Sequence, residues 1–302
     1  MFKRLYSQRR RIAVVMLLLG LAVALSLTDN PELRYYFKHS MEGPLWINQL
    51  SYGLAVAIVP LGACGLVILL FPSLRGALEL GALTFVLVET ARFAAPMMPA
   101  WMAPWMADGS TQIWWWPVLY FGLALMRESP LFGRLSPKLP LRFRDRRKIN
   151  ATPAAIWAAL APDADNLGTY WNNVLTRVAD VPGAGGNVVE ARFKMGKFGA
   201  LIQRHTRHIW NKPLHFLYDF EPESDAGAGF SGSYEMKCEP LDDGRCLVTS
   251  TQSYPGLGFG TWSFLWLDDI LSDEMNGVVA KMNGRRDWSL GGWAARKLAR
   301  SA

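Results

Sequence analysis

The stretch Ser231–Thr251, SGSYEMKCEPLDDGRCLVTST, decides the fold of the second half of the chain. Phe230, Tyr234, Met236 and Cys238 fall on one side of an alternation, and Ser231, Ser233, Glu235 and Lys237 on the other. Successive side chains of a strand point to opposite faces, so the stretch predicts an antiparallel strand with one dry and one wet side. Asp242, Asp243 and Gly244 supply the chemistry of a turn, and Arg245 to Tyr254 returns as the next strand. Gly232 on the dry side predicts open space or a bend.

Working outward, strands are predicted at Leu141 to Asn150, Val188 to Lys197, Leu201 to Trp210 and Leu214 to Glu221, each bounded by Gly, Pro or Asp clusters. Thr152 and Pro153 are helix-start residues for Ala154 to Leu160. Trp262 to Met282 places Phe264, Leu267, Leu271, Met275, Val278 and Met282 at helical spacing, which predicts one long helix with an apolar face. The fold class is therefore α+β, with a domain at 141–284 made of antiparallel strands and one long C-terminal helix that can cover the dry side of the sheet.

Several segments carry a family likeness: INATPAAIWAAL at Ile149–Leu160, GKFG at Gly196–Gly199, PLHFLYDFEP at Pro213–Pro222, the hairpin quoted above, and LDDILSDEMNGVVAKM at Leu267–Met282. Together they resemble the START-like (SRPBCC) superfamily of polyketide cyclases and dehydrases, the birch-pollen-allergen type and coenzyme-Q-binding proteins. The likeness is one of layout and covers nearly all of the back half. It implies a helix-grip fold with an apolar cavity between sheet and helix, and a small hydrophobic or lipid-like ligand.

Standard catalytic motifs fail on geometry. His205 and His208 are three apart on a strand and point to opposite faces, so they cannot share a metal ion. Ser231 lacks the second glycine of a nucleophile elbow, and Gly256, Gly258 and Gly260 lack phosphate-loop spacing. Cys64, Cys238 and Cys246 form no metal or disulfide framework. No metal and no cofactor is expected. Candidate lining residues are His205, Tyr218, Tyr234, Gln252, Tyr254 and Trp262 among the polar groups, with Met236, Leu267, Leu271 and Met275 for the apolar part.

The front half is different. Of 302 residues 51% are apolar, including 13 Trp and 12 Met, and the excess concentrates before residue 130. Apolar blocks run from Ile12 to Leu27, Trp46 to Phe71, Gly76 to Ala95 and Ile113 to Met126. A bilayer core takes about 20 helical residues, so the middle two are long enough. The first is short and the fourth needs help from its flanks. The expectation is a four-span transmembrane bundle at 1–130, a basic linker at 131–140 and a basic amphipathic tail at 285–302. A cleaved signal peptide in place of the first span stays open.

Lys and Arg crowd the start, Arg75 and the run from Arg127 to Lys148, which by the positive-inside rule places the soluble half in the cytoplasm. Glu89 and Arg92, three apart in the third block, are expected to face the bundle interior as an ion pair or a functional polar site. Met97, Met98, Met102 and Met106 with Trp101 and Trp105 are read as an interfacial turn. Residues 1–150 hold 17 Lys and Arg against 8 Asp and Glu, whereas 151–284 hold 10 against 16. The acidic domain makes nucleic acid an unsuitable partner. The function expected is a non-catalytic, membrane-anchored binder of a hydrophobic molecule; the alternatives are a cyclase or dehydrase enzyme and a structural or regulatory membrane protein.

Overall fold

A computed structural model describes residues 2–29, 60–97, 109–128, 135–194, 199–223 and 230–300. The chain divides into two compact units, Gln8–Phe132 and Met1–Ser7 with Gly133–Ala302.

The helical unit contains α2 (Arg9–Asp29), α3 (Pro60–Leu70), α4 (Arg75–Ala94) and α5 (Gly109–Glu128); α1 (Phe2–Ser7) groups with the other unit. Val15, Cys64 and Ala82 form its small buried core. Among the described residues no single helix is long and apolar enough to cross a membrane. The apolar part of α2 is short, Glu79, Glu89 and Arg92 interrupt α4, and Pro117 lies inside α5. One pair, Pro60–Leu70 with Pro72–Met97, passes together by length and composition but bends by 119°. Glu79 lies 3.3 Å from Arg11 Nε and 3.3 Å from Arg127 Nη1. Most of the methionine–tryptophan segment, from Met98 to Trp105 and Met106, and the first part of the Trp46 block lie outside the described residues.

The second unit is built on a seven-stranded antiparallel sheet: β1 (Leu139–Ile149), β2 (Leu175–Asp180), β3 (Val188–Lys194), β4 (Ala200–Asn211), β5 (His215–Pro222), β6 (Gly232–Pro240) and β7 (Cys246–Leu257), in the order β1-β7-β6-β5-β4-β3-β2. The Ser231–Thr251 hairpin is β6–β7, next to β1. Its alternation is realised: Tyr234, Met236 and Cys238 are buried while Lys237 and Glu239 are exposed. β2 has no counterpart in the sequence reading; only Leu175 of its six residues is fully buried, so it carries little alternation. Residues 195–198 of the expected GKFG turn lie outside the described residues.

Helix α6 (Pro153–Leu160) starts where Thr152 accepts a hydrogen bond from the Ala155 amide at 3.3 Å. It buries Ile156, Trp157 and Leu160, and Trp157 meets Trp210 and Phe216 edge-on at 5.1 and 5.5 Å. The expected single C-terminal helix is two: α7 (Phe259–Asp268) and α8 (Ile270–Met282). Asp269 breaks them with φ +47°, a left-handed conformation that Asp tolerates better than most residues. α8 covers the inner face of the sheet, and α9 (Leu290–Arg300) follows.

Candidate functional site beneath α8

Strand register sets the inner face in rows. The central one runs Arg207, Tyr218, Tyr234, Gln252 and Phe143 across β4, β5, β6, β7 and β1. Toward one end lies a row with His205, Phe220 and Gly232, and toward the other one with Trp210, Phe216, Met236, Ser250 and Asp145. The middle of an otherwise apolar face is thus a polar stripe. Trp157, Phe216, Met236, Leu271 and Met275, all fully buried, pack in the core between that face and α8.

α8 aims a carboxyl at this stripe. Glu274 accepts a hydrogen bond from the Tyr234 hydroxyl at 3.0 Å, its one hydrogen bond among the described residues. Burial pushes its pKa up to about 7, against the smaller opposing effect of the Tyr234 bond, and neighbouring Asp273 adds to the rise. The residue is half-buried and keeps some accessible surface. Tyr218, Tyr234 and Tyr254 are all pushed up by burial, with Glu274 the second cause for Tyr234 and Tyr254, and Tyr170 the second cause for Tyr218, so they stay as neutral phenols. Tyr218 meets Tyr234 edge-on at 5.9 Å and stacks on His205 at 4.6 Å.

His205 is 1% exposed and its Nε2 lies 3.2 Å from Gln203 Oε1. Burial, then the Arg207 charge, pushes its pKa down to about 3. The imidazole is neutral, and with the proton on Nε2 its Nδ1 is a bare acceptor. That Nδ1 and Gln252 Oε1 are buried atoms without a hydrogen-bond partner among the described residues. His208 points the other way, exposed and 2.7 Å from Asp219, and His215 lies 3.0 Å from Glu235. No cluster of metal-ligating side chains occurs among the described residues.

The structure thus brings His205, Tyr218, Tyr234, Met236, Gln252, Tyr254, Leu271 and Met275 to the inner face or the helix over it. Two candidates go elsewhere. Trp262 stands partly exposed on α7, stacked between Phe259 and Trp266, with its indole N–H on the Pro140 carbonyl at 3.2 Å. Leu267 is buried but is not part of the main core cluster, where Leu265 stands instead, because the break at Asp269 resets the helical phase. Glu274 is the residue that the sequence reading missed. The signal was present: it lies three residues after Leu271 and seven after Leu267, on the stripe used to argue the apolar face.

An open cleft of about 650 Å³ lies at the sheet end, away from α8. Outward-facing Arg142, Ser253, Ser233 and Asp219 line it as one cross-strand row, and Gly232 lies at its floor. A Cβ at Gly232 would come within 2.4 Å of the Ser253 carbonyl and 2.8 Å of the Phe220 ring, so glycine is required for this close approach.

Residues 140–283 match the family described as polyketide cyclase / dehydrase and lipid transport. The antiparallel seven-stranded sheet with helices at its C-terminal end fits a helix-grip domain. Similar solved structures include Ara h 8.0201, 14% identical over 48% of this chain and 97% of that one with a TM-score of 0.36. A protein from Chromobacterium violaceum is 16% identical over 46% and 94%, TM-score 0.34, and one from Rhizobium loti 13% identical over 48% and 98%, TM-score 0.37. No curated protein matches the chain in sequence.

Proposed function

We propose that the START-like domain binds a small, mostly apolar molecule on its inner face beneath α8, anchored by the polar stripe and Glu274. The observation that carries this reading is Glu274 itself. An ionisable carboxyl with one phenolic hydrogen bond, placed inside a core of Trp, Phe, Met and Leu, is unfavourable for folding alone. Such groups concentrate at functional sites. The lipid-transport part of the matched family's description agrees with an apolar ligand.

The helical unit is proposed to hold this domain at a membrane, its soluble face cytoplasmic. Support comes from the apolar blocks, from the basic residues around them, and from large apolar side chains left exposed on its helices, among them Leu17, Leu66, Phe121 and Leu125 at 74%, 59%, 63% and 71%. Organic extraction of the purified full chain followed by mass spectrometry tests the binding reading: a stoichiometric apolar compound is expected, and repeated absence of one counts against it. Membrane fractionation with carbonate washing tests the tether, which fails if the chain washes off.

An enzymatic reading has one specific observation in its favour. A carboxyl held near 7 beside a phenol is suited to moving a proton at neutral pH, as a cyclase or dehydrase requires. Under that reading Glu274→Gln abolishes turnover of a bound substrate while leaving its binding intact.

A further inference from the structure

The balance of hydrogen-bonding groups under α8 narrows the ligand's chemistry. Two buried acceptors, Gln252 Oε1 and His205 Nδ1, have no donor among the described residues, and Glu274 has only the Tyr234 hydroxyl. His205 is 1% exposed, so its bare nitrogen cannot turn to bulk water. Two nearby cations are already committed. Arg147 donates to Asp145, to Asn276 Oδ1 at 2.6 Å and to Ser272 at 3.0 Å. Lys281, on the same helix as Glu274, donates to the Tyr170 carbonyl at 2.7 Å and to Asn173 at 3.0 Å. Arg207 lies over the Trp210 ring at 3.9 Å and is 3.9 Å from Asp163, while its Nε has no acceptor among the described residues; it forms no ion pair with Glu274. Asp273, next to Glu274 and also acidic, is occupied by the backbone of α9.

What remains around Glu274 is a group of rings. Tyr234 bonds it directly, Tyr218 crosses Tyr234 edge-on, and Tyr254 and Tyr170 are close enough to feel its charge. A carboxylate beside phenols, with one donor and no ion pair among the described residues, is complementary to an ammonium. Such an ion offers up to three N–H donors, is attracted to ring faces and cancels the charge that makes ionised Glu274 costly to bury.

We infer that the domain takes a lipophilic amine, its protonated nitrogen seated against Glu274 among Tyr218, Tyr234 and Tyr254 and its apolar body along the inner face. The inference rests on the inner face being the ligand site, as proposed above. A neutral alcohol satisfies the phenols equally well but leaves the carboxylate uncompensated, and a fatty acid sets two carboxylates against each other.

Three probes of equal chain length separate these cases: n-octylammonium, n-octanol and n-octanoate, each titrated into the full chain in neutral-detergent micelles at pH 7.5, with tryptophan fluorescence as the readout and protein-free micelles as the blank. Octylammonium is expected to bind at least about tenfold tighter than octanol, a difference of about 1.4 kcal/mol, with octanoate weakest. In Glu274→Gln the ammonium affinity should fall to that of the alcohol while the alcohol's stays within about twofold. Equal affinities for the three probes in the native protein overturn the amine inference and leave the binding site standing. Failure of all three to bind overturns the site as well. Should Glu274→Gln not fold, the ranking in the native protein still decides, and so does its dependence on pH: the ammonium preference should vanish as Glu274 takes up its proton below about pH 6, whereas a preference unchanged at pH 5 overturns the inference.

Discussion

Two adjacent carboxyls on α8, Asp273 buried and Glu274 half-buried, differ in everything that surrounds them. They stand about 100° apart around the helix, so one faces α9 and the other the sheet. Burial pushes both up, Asp273 to about 6 and Glu274 to about 7. Asp273 is answered by the chain: its oxygens accept the Leu290 and Gly291 amides, both at 2.9 Å, at the positive end of α9. Around it the backbones pack closely enough that a Cβ at Gly291 would come within 2.6 Å of the Trp171 ring, and one at Gly292 would meet Asp287. Glu274 has one phenol and open acceptors. A perturbed acid whose bonds are complete is a structural cap; one whose bonds are incomplete awaits a partner.

The largest effect expected from this comparison is at the completed site. Asp273→Ala leaves one buried and one partly buried amide without an acceptor, at about 1–3 kcal/mol for the buried one and less for the other, so a loss of about 3 kcal/mol is predicted. It should appear as a lower urea midpoint at unchanged slope. A change below about 0.5 kcal/mol would show that Asp273 is not the cap of α9.

The second prediction concerns the sign of the Glu274 contribution. Below its ordinary value of 4.5 the acid is protonated folded or unfolded, and it contributes no pH dependence. Between 4.5 and about 7 the folded protein keeps a proton that the unfolded chain releases, so stability falls as pH rises and the full loss is present above 7. Glu274→Gln should therefore match the native protein near pH 4.5 and exceed it at pH 8 by about 2 kcal/mol, because a tenfold change in acidity on folding is worth about 1.4 kcal/mol and water keeps some access to the site. Asp273 adds a similar slope that ends near 6, so the variant should retain only the lower part of the decline. Denaturation midpoints across pH 4.5–8 measure both; a variant curve parallel to the native one would place Glu274 in water.

Much of this site was legible in residue order, and the parts that were not have physical reasons. Alternation in Phe230–Cys238 placed Tyr234 and Met236 inward because a strand's period of two is rigid. The apolar spacing of Leu271, Met275 and Val278 found the helix over the sheet. Following apolar residues alone passes over Glu274, since an acid on an apolar stripe counts against the pattern instead of marking its function. The helix break was hidden because Asp268 and Asp269 look like ordinary acidic residues, and only a backbone angle of +47° ends α7. Tyr170 lies in irregular chain after α6, where no periodicity exists to place it. In the helical unit the apolar blocks were visible, but their lengths as helices, and the pairing of Glu79 with Arg11 and Arg127, depend on which helices meet.

Tyr234→Phe sharpens the comparison from the other partner. Removing the one hydrogen bond that favours ionised Glu274 should cost about 1 kcal/mol at pH 8 and little at pH 5, and should move the Glu274 titration upward when followed by carboxyl ¹³C shifts. A downward movement would mean that the phenol was not donating to the carboxylate.

The smallest effect expected is none at all, at His205. Its ring is stacked on Tyr218 with planes 17° apart, its Nε2 faces Gln203, and Arg207 two residues on opposes a second positive charge. With its pKa pushed down to about 3, the imidazole should hold one neutral tautomer, and its Cε1–H shift should stay constant from pH 5 to pH 8. Constancy keeps Nδ1 an open acceptor and leaves the interior without a histidine cation. Were His205 to gain a proton in that range, it would become a positive charge across Tyr218 from Glu274. The acid would then have a counter-ion within the fold, its likeness to Asp273 would become complete, and the reason to assign it a ligand would disappear.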